Sequence, residues 1–332
     1  MIDLSLPLAD LHHHLDGSVR LETILDLGLQ HNLPLPAATL EGLRPYVQVS
    51  TPQPGVMAFI QKFEWMTEVL VDYDACRRIA YENIEDAYIT GVDYIELRYS
   101  PWFMAEAHGL SAAGVVEAVT DGVKAGEQAF GVRANQIGIL SRHYGPEIAW
   151  QELAALMSLK NAFVGLDLAG DEANFPGELF VEHFKKARDL GWHITVHAGE
   201  AAGAESIWQA LNGLGAERIG HAVRATEDPA LMDYLLAHHI GIECNLTSNV
   251  QTTTVPDYPS HPMRQFMEKG LLATLNTDDP GISAIDLPYE YILAAPKAGL
   301  SDVMIRQAQE NALTIAFLSE TEKQSLLQKK QN

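Results

Sequence analysis

The chain has 332 residues, 47% of them hydrophobic and 20% charged, which is enough apolar material for a large buried core. Its formal net charge of -22 repels phosphate backbones and anionic lipid, so neither nucleic acid nor a membrane surface is the expected partner. The two cysteines, Cys76 and Cys244, form no C-x-x-C pair, and "MIDLSLPLAD" at the start lacks a basic stretch followed by an apolar run; no disulfide framework, signal peptide or membrane span is expected, and a cytoplasmic location is.

Taken in chain order, short β-like runs alternate with longer helical patterns. The predicted strands are "LADLHHH" (8–14), "VDYIELRYS" (92–100), "VRANQIGIL" (132–140), "FVGLDLA" (163–169), "WHITVHA" (192–198), "RIGHAV" (218–223), "IGIECN" (240–245) and "LLATLN" (271–276). Several are continuous Val/Ile/Leu runs, as expected for strands covered on both faces. Helical stretches such as "AAGVVEAVTDGVKAGEQAFG" and "EDPALMDYLLAHHIG" lie between them, and a glycine precedes several strands: Gly91, Gly131, Gly191, Gly241 and Gly270. Eight such units point to an α/β fold, a (β/α)8 TIM barrel forming a single domain over 1–332, rather than to an open sheet.

One segment breaks the rhythm. Residues 30–90, after the first strand, are too long for a simple crossover and contain several prolines followed by an aromatic stretch. An insertion there belongs at the C-terminal mouth of a barrel, so 30–90 is expected to be a helical insertion or lid. Phe59, Phe63 and Trp65 have two readings: they face a ligand, or they seat the insertion on the barrel.

Polar residues follow the apolar runs. In "LHHHLDG", side-chain alternation turns His12 and His14 one way and His13 the other, outward or toward a helix. "ITVHAGE" supplies His197 and Glu200, "RIGHAV" supplies His221, and "LATLNTDDPG" supplies Asp278 and Asp279. A histidine at a strand end is commonly just hydrogen-bonded, but the C-terminal ends of barrel strands converge on one mouth. His12, His14, His197 and Asp278 then form a three-nitrogen, one-oxygen set suited to one Zn²⁺ with a position left for water. The fourth strand, "FVGLDLAGDE", carries no lysine to bridge a second metal.

The ordered motifs H-x-H-L-D-G, "ELRYSP", "DLAGDE", "HAGE", "IGHAV", "LTSN" and "NTDDPG" make the chain resemble the adenosine deaminase family, within the metal-dependent amidohydrolases, over nearly its whole length. The resemblance implies zinc-dependent hydrolysis of adenosine and 2′-deoxyadenosine to inosine or 2′-deoxyinosine and ammonia. It implies His12, His14, His197 and Asp278 as zinc ligands and Glu200 as the acid at purine N1. His221 would orient the zinc-bound water and take a proton from it, and Asp279 would bond N7. The backbone N–H of Gly170 would meet N3, and Asp16, helped by His14, would hold the ribose hydroxyls. A small purine nucleoside is the only partner so implied. One departure is Ala222, where the family usually has glycine; another is the loose match ahead of "LTSN", so no substrate contact is assigned there. The alternative is deamination of free adenine, whose specialists tend to carry Glu at the position of Asp16. A non-catalytic binder on the same barrel has no use for an acid–base pair beside the metal.

Overall fold

In a computed structural model describing residues 2–331, the chain forms eight parallel strands that neighbour one another in sequence order: β1 (Ala9–His14), β2 (Tyr94–Tyr99), β3 (Arg133–Ser141), β4 (Phe163–Ala169), β5 (His193–Ala198), β6 (Arg218–His221), β7 (Gly241–Cys244) and β8 (Leu272–Leu275). All are runs expected from the sequence, with ends moved by a residue or two. Parallel neighbours need a crossover each, and helices supply them, such as Ala112–Phe130, which stops at left-handed Gly131 (φ 71°), and Pro229–Ala237, which opens on the capping side chain of Asp228. The architecture is the (β/α)8 barrel.

The seam between β1 and β8 closes just beyond β8. The Asp278 N–H donates to the His12 carbonyl (2.8 Å), and the His14 N–H donates to the Asp278 carbonyl (2.7 Å). Nearby, the Leu11 N–H donates to Oδ1 of Asn276 (3.0 Å). The barrel therefore closes through the backbone of residues singled out above for their side chains.

Alternation sorts the strands into two faces. Leu97, Leu168, Val196, Ile219, Ile242 and Leu275 point outward and join the main apolar core beneath the helices. The lumen is polar instead: Glu96, Arg98, Asp167, Arg218 and Glu243 are all fully or almost fully buried. β1 carries a bulge against β2 between Asp10 and His13, so these two residues share the outer face. His13 sits 3.2 Å from Oδ2 of Asp10 and 2.9 Å from Oδ1 of Asn83, on the helix Tyr73–Ile89. That is the outward, helix-bound position alternation requires.

Between β1 and β2 the chain passes through helices Leu21–Gln30, Leu40–Val47, Val56–Ile60 and Glu64–Glu68 before Tyr73–Ile89 returns it to the barrel. The last of these packs against Ala112–Phe130 in the outer ring.

β6 stops at His221 rather than running on to Val223, because His221 (φ 64°) and Ala222 (φ 53°) are both left-handed; Asp278 (φ 64°) is left-handed too. Left-handed backbone breaks the pleat, and a Cβ there costs about 1–2 kcal/mol. Glycine at 222 would remove that cost while adding about 0.4–1 kcal/mol of unfolded-chain freedom. Ala222→Gly is thus expected to raise unfolding stability by up to about 1 kcal/mol, seen as a higher urea midpoint at unchanged slope. A lower midpoint would mean that packing of the buried methyl outweighs the strain.

Candidate active site

Three strand ends bring four donor atoms around one point. His12 and His14 come from β1, His197 from β5, and Asp278 follows β8. His12 Nε2 lies 3.0 Å from His197 Nε2 and 3.3 Å from His14 Nε2, and the last two are 3.2 Å apart. Asp278 Oδ1 stands 3.1 Å from His12 Nε2 and 3.3 Å from His14 Nε2. Four ligands placed tetrahedrally at about 2.0–2.1 Å from one ion would be about 3.3 Å apart. His221 borders the cluster from the other carboxylate oxygen, its Nε2 3.8 Å from Asp278 Oδ2.

The hydrogen bonding around the donors also asks for a cation. His12 Nδ1 lies 2.7 Å from Glu243 Oε2, and His197 Nδ1 lies 2.9 Å from Asp167 Oδ2. A carboxylate only accepts, so each imidazole donates from Nδ1 and turns the lone pair of Nε2 inward. Burial holds both imidazoles below their ordinary range, His197 at about 3, so neither carries a second proton. Two lone pairs then face each other with no proton between them. Burial opposes charge on His14 as well, yet Asp279, Asp16 and Asp278 raise it well above its usual value. The inward-turned imidazole nitrogens and the Asp278 carboxylate oxygen are together a donor set that a divalent ion would fit.

The two accepting carboxylates are held in turn. Arg98 donates to Asp167 Oδ2 and Glu243 Oε2, both at 2.9 Å, and Arg218 Nε pairs with Glu243 Oε1 at 2.7 Å. Against the penalty of burial, Arg98 and Arg218 hold Glu243, and His197 and Arg98 hold Asp167, below the usual carboxylate range.

Glu200 and Asp279 behave oppositely. Burial lifts the Glu200 carboxyl to about 7; His221 opposes the rise, while Asp278 and Glu172 add to it. Burial and the charge of Asp278 push Asp279 well above its usual value. Both can hold a proton near neutral pH. The loop carrying Glu200 is tied down by Glu172, whose carboxylate accepts from the N–H groups of Gly199 (2.6 Å), Glu200 (3.1 Å), Ala201 (2.7 Å) and Ala202 (3.0 Å). Gly17 explains its place in H-L-D-G: a Cβ there would lie 1.8 Å from Asp279 Oδ1.

A solvent-open cleft lies over these groups. Its polar side includes His14, Asp16, Gly170, Glu200, His221, Asp278 and Asp279; its apolar side includes Val56, Phe59, Ile60, Phe63 and Phe103. Phe59 and Phe63 therefore face the cleft, whereas Trp65 packs on the core. Asp16 Oδ2 accepts from the Ser100 N–H (3.2 Å), while Asp16 Oδ1 and Asp279 Oδ1 are buried without a hydrogen-bond partner among the described residues.

All the site residues expected from the sequence border this cleft or the donor cluster behind it. Sequence reasoning missed Arg98, Asp167, Glu243 and Glu172, and it passed over Ser248 and Thr252, which also line the cleft. The available signal was an ionisable residue inside an apolar strand, as in "IELRYS", "FVGLDLA" and "IGIECN": a charge buried there needs a partner.

The donor set at the C-terminal mouth, more than the barrel itself, is what could hold a metal ion and carry chemistry. The chain belongs to the adenosine deaminase family, whose model matches residues 7–331. It is 59% identical over 329 residues to an adenosine deaminase of Klebsiella pneumoniae, covering 99% of each chain. It is 57% identical over 329 residues to one of Vibrio cholerae, covering 99% of this chain and 98% of that one. Among solved structures, adenine deaminase from Arthrobacter aurescens shares the fold at a TM-score of 0.91 and 24% identity, with 98% of each chain covered. An amidohydrolase from Burkholderia ambifaria with bound Zn shares it at 0.87 and 24%, with 97% of this chain and 88% of that one covered.

Two outcomes follow from the geometry. Asp167→Asn replaces the charged, accept-only group behind His197 with a neutral amide and should weaken metal affinity about 10–100-fold in a chelator competition; unchanged affinity would remove Asp167 from the metal's support. Glu172→Gln removes a negative charge that raises Glu200, so Glu200 loses its proton at lower pH. The basic limb of the kcat/KM profile should therefore move to lower pH, and a limb left in place would mean that Glu172 acts on the loop's shape alone.

Proposed function

We propose that this chain hydrolyses adenosine, and 2′-deoxyadenosine, to inosine or 2′-deoxyinosine and ammonia. The reading is carried by likeness at 57–59% identity, over nearly the full length, to proteins named adenosine deaminase. The adenine deaminase of similar fold is only 24% identical, and Asp16, with its unpartnered oxygen at the cleft, suits a sugar hydroxyl that free adenine lacks.

Zn²⁺ is the proposed ion, one per chain, held by His12, His14, His197 and Asp278, since three imidazole nitrogens and a carboxylate oxygen suit it. When bound, zinc lowers the pKa of water from about 15.7 to about 7 and so supplies hydroxide at neutral pH. The protein's own groups do the rest. Glu200, holding a proton near neutral pH, donates it to N1 as charge builds on the ring. Asp279, also protonated, bonds N7, and the Gly170 N–H meets N3. Asp16 and His14 hold the ribose, and His221 orients the attacking water from beside Asp278. The 30–90 insertion acts as a lid whose Phe59 and Phe63 keep bulk water from the purine. The two unpaired, buried cysteines fit a cytoplasmic setting, and no protein partner is needed for this site.

Replacing Glu200 or His221 by alanine should leave zinc bound, by metal assay, yet cut turnover of adenosine at least about 10²-fold. Near-normal turnover in either variant would overturn these roles. Asp16→Ala should reduce ammonia release from adenosine far more than from adenine; equal losses would remove Asp16 from the sugar site.

A further inference from the structure

Behind His221, away from the donor cluster, runs a chain of hydrogen bonds whose direction is set by one backbone group. The Met263 N–H lies 3.1 Å from Nδ1 of His261. A peptide N–H only donates, so this Nδ1 accepts. His261 is buried, and burial holds the imidazole at about 3; it is neutral at pH 7 and its one proton sits on Nε2. That Nε2–H donates to Oδ1 of Asn249 at 3.2 Å.

The donation orients an amide whose shape alone leaves the question open. With Oδ1 fixed toward His261, the Asn249 amino group faces His221, its Nδ2 2.9 Å from Nδ1. The same amino group lies 3.1 Å from Thr254 Oγ1 and 3.4 Å from Glu200 Oε1, both able to accept. Asn245 Nδ2 lies beside the same ring, 3.3 Å from His221 Nδ1 and 3.5 Å from Nε2, and so favours neither nitrogen. An amino group cannot accept, so Nδ1 of His221 must, and a neutral His221 then carries its proton on Nε2. Reversing this would turn the Asn249 amino group against the Nε2–H of His261, leaving two donors face to face.

We propose that His261 and Asn249 are positioning residues that hold His221 as its Nε2–H tautomer, so that it presents a donor rather than a lone pair to the side where Asp278 lies. The inference rests on the place given to His221 beside Asp278 and the attacking water, and it gives that role a direction: the resting ring orients by donating, in contrast to the proton acceptor that the resemblance implies. Asn249 belongs to the helix Leu246–Gln251, and His261 precedes the helix Met263–Lys269, so both are carried by elements outside the donor set.

The test reads the tautomer directly. Zinc-loaded protein labelled with ¹⁵N-histidine gives long-range ¹H–¹⁵N spectra that separate Nδ1–H from Nε2–H rings, with His221→Gln assigning the His221 signals. The expected result at neutral pH is Nε2–H in the unsubstituted protein. His261→Phe keeps a ring but cannot donate, and Asn249→Asp can only accept; both should shift His221 toward Nδ1–H and lower kcat about tenfold or more with KM nearly unchanged. His261→Gln, whose amide reaches toward the place of Nε2, should retain both the tautomer and most of kcat. An Nδ1–H ring in the unsubstituted protein, or an Nε2–H ring persisting in His261→Phe and Asn249→Asp, would overturn the proposal. The spectra do not depend on adenosine being the substrate, so failure of the functional reading and failure of this one are separable.

Discussion

A carboxylate bonded to the outer nitrogen of an imidazole decides which way the ring's lone pair points, and the mouth of this barrel is built on two such contacts, Glu243 with His12 and Asp167 with His197. Neither acid could stay ionised at that depth alone. Arg98 bridges both, and Arg218 links Glu243 onward to Glu96, so the barrel's interior is filled by charge where branched aliphatics are the common choice. Removing one member of such a network leaves its partner buried and unpaired, at a cost of about 3–5 kcal/mol. The same groups therefore fill the interior, orient the ligands and supply the negative field that draws a cation.

That field has a second effect. Carboxylates close together cannot all ionise, and the site sorts them by their neighbours. Asp278, among imidazoles, stays well below its usual range, whereas Asp279, next to it in sequence, is pushed well above. Glu200 is lifted by burial more than by any single charge. One strand end thus presents two adjacent aspartates of opposite character, the first ionised beside the imidazoles and the second able to hold a proton.

The fold was legible because each strand is a short apolar run and each crossover ends in a recognisable stop, as at Gly131. The clustered side chains of His12, His14, His197 and Asp278 were legible because they follow those runs. The boundary of β6 was not, since nothing in "RIGHAV" announces two consecutive left-handed residues without glycine at either. The supporting shell was harder still. Glu172 is visible in "DLAGDE" as one more acid, but its four N–H partners come from a loop after the next strand, and only the folded chain brings them together. Asn249 and His261 share no spacing rule with His221; their connection runs through a helix and a backbone N–H that periodicity does not describe.

Barrel closure through Asp278 has a consequence for biosynthesis. His12 and His14 are made before the seven strands that separate them from Asp278, whose backbone bonds to both. Until those strands are made, the edge of β1 that Asp278 joins lacks that partner, and the nitrogens of His12 and His14 lack their neighbours His197 and Asp278. Completion of the donor cluster and the joining of the first strand to the last are in this sense one event, so a cage able to hold an ion exists only once all eight strands are in place.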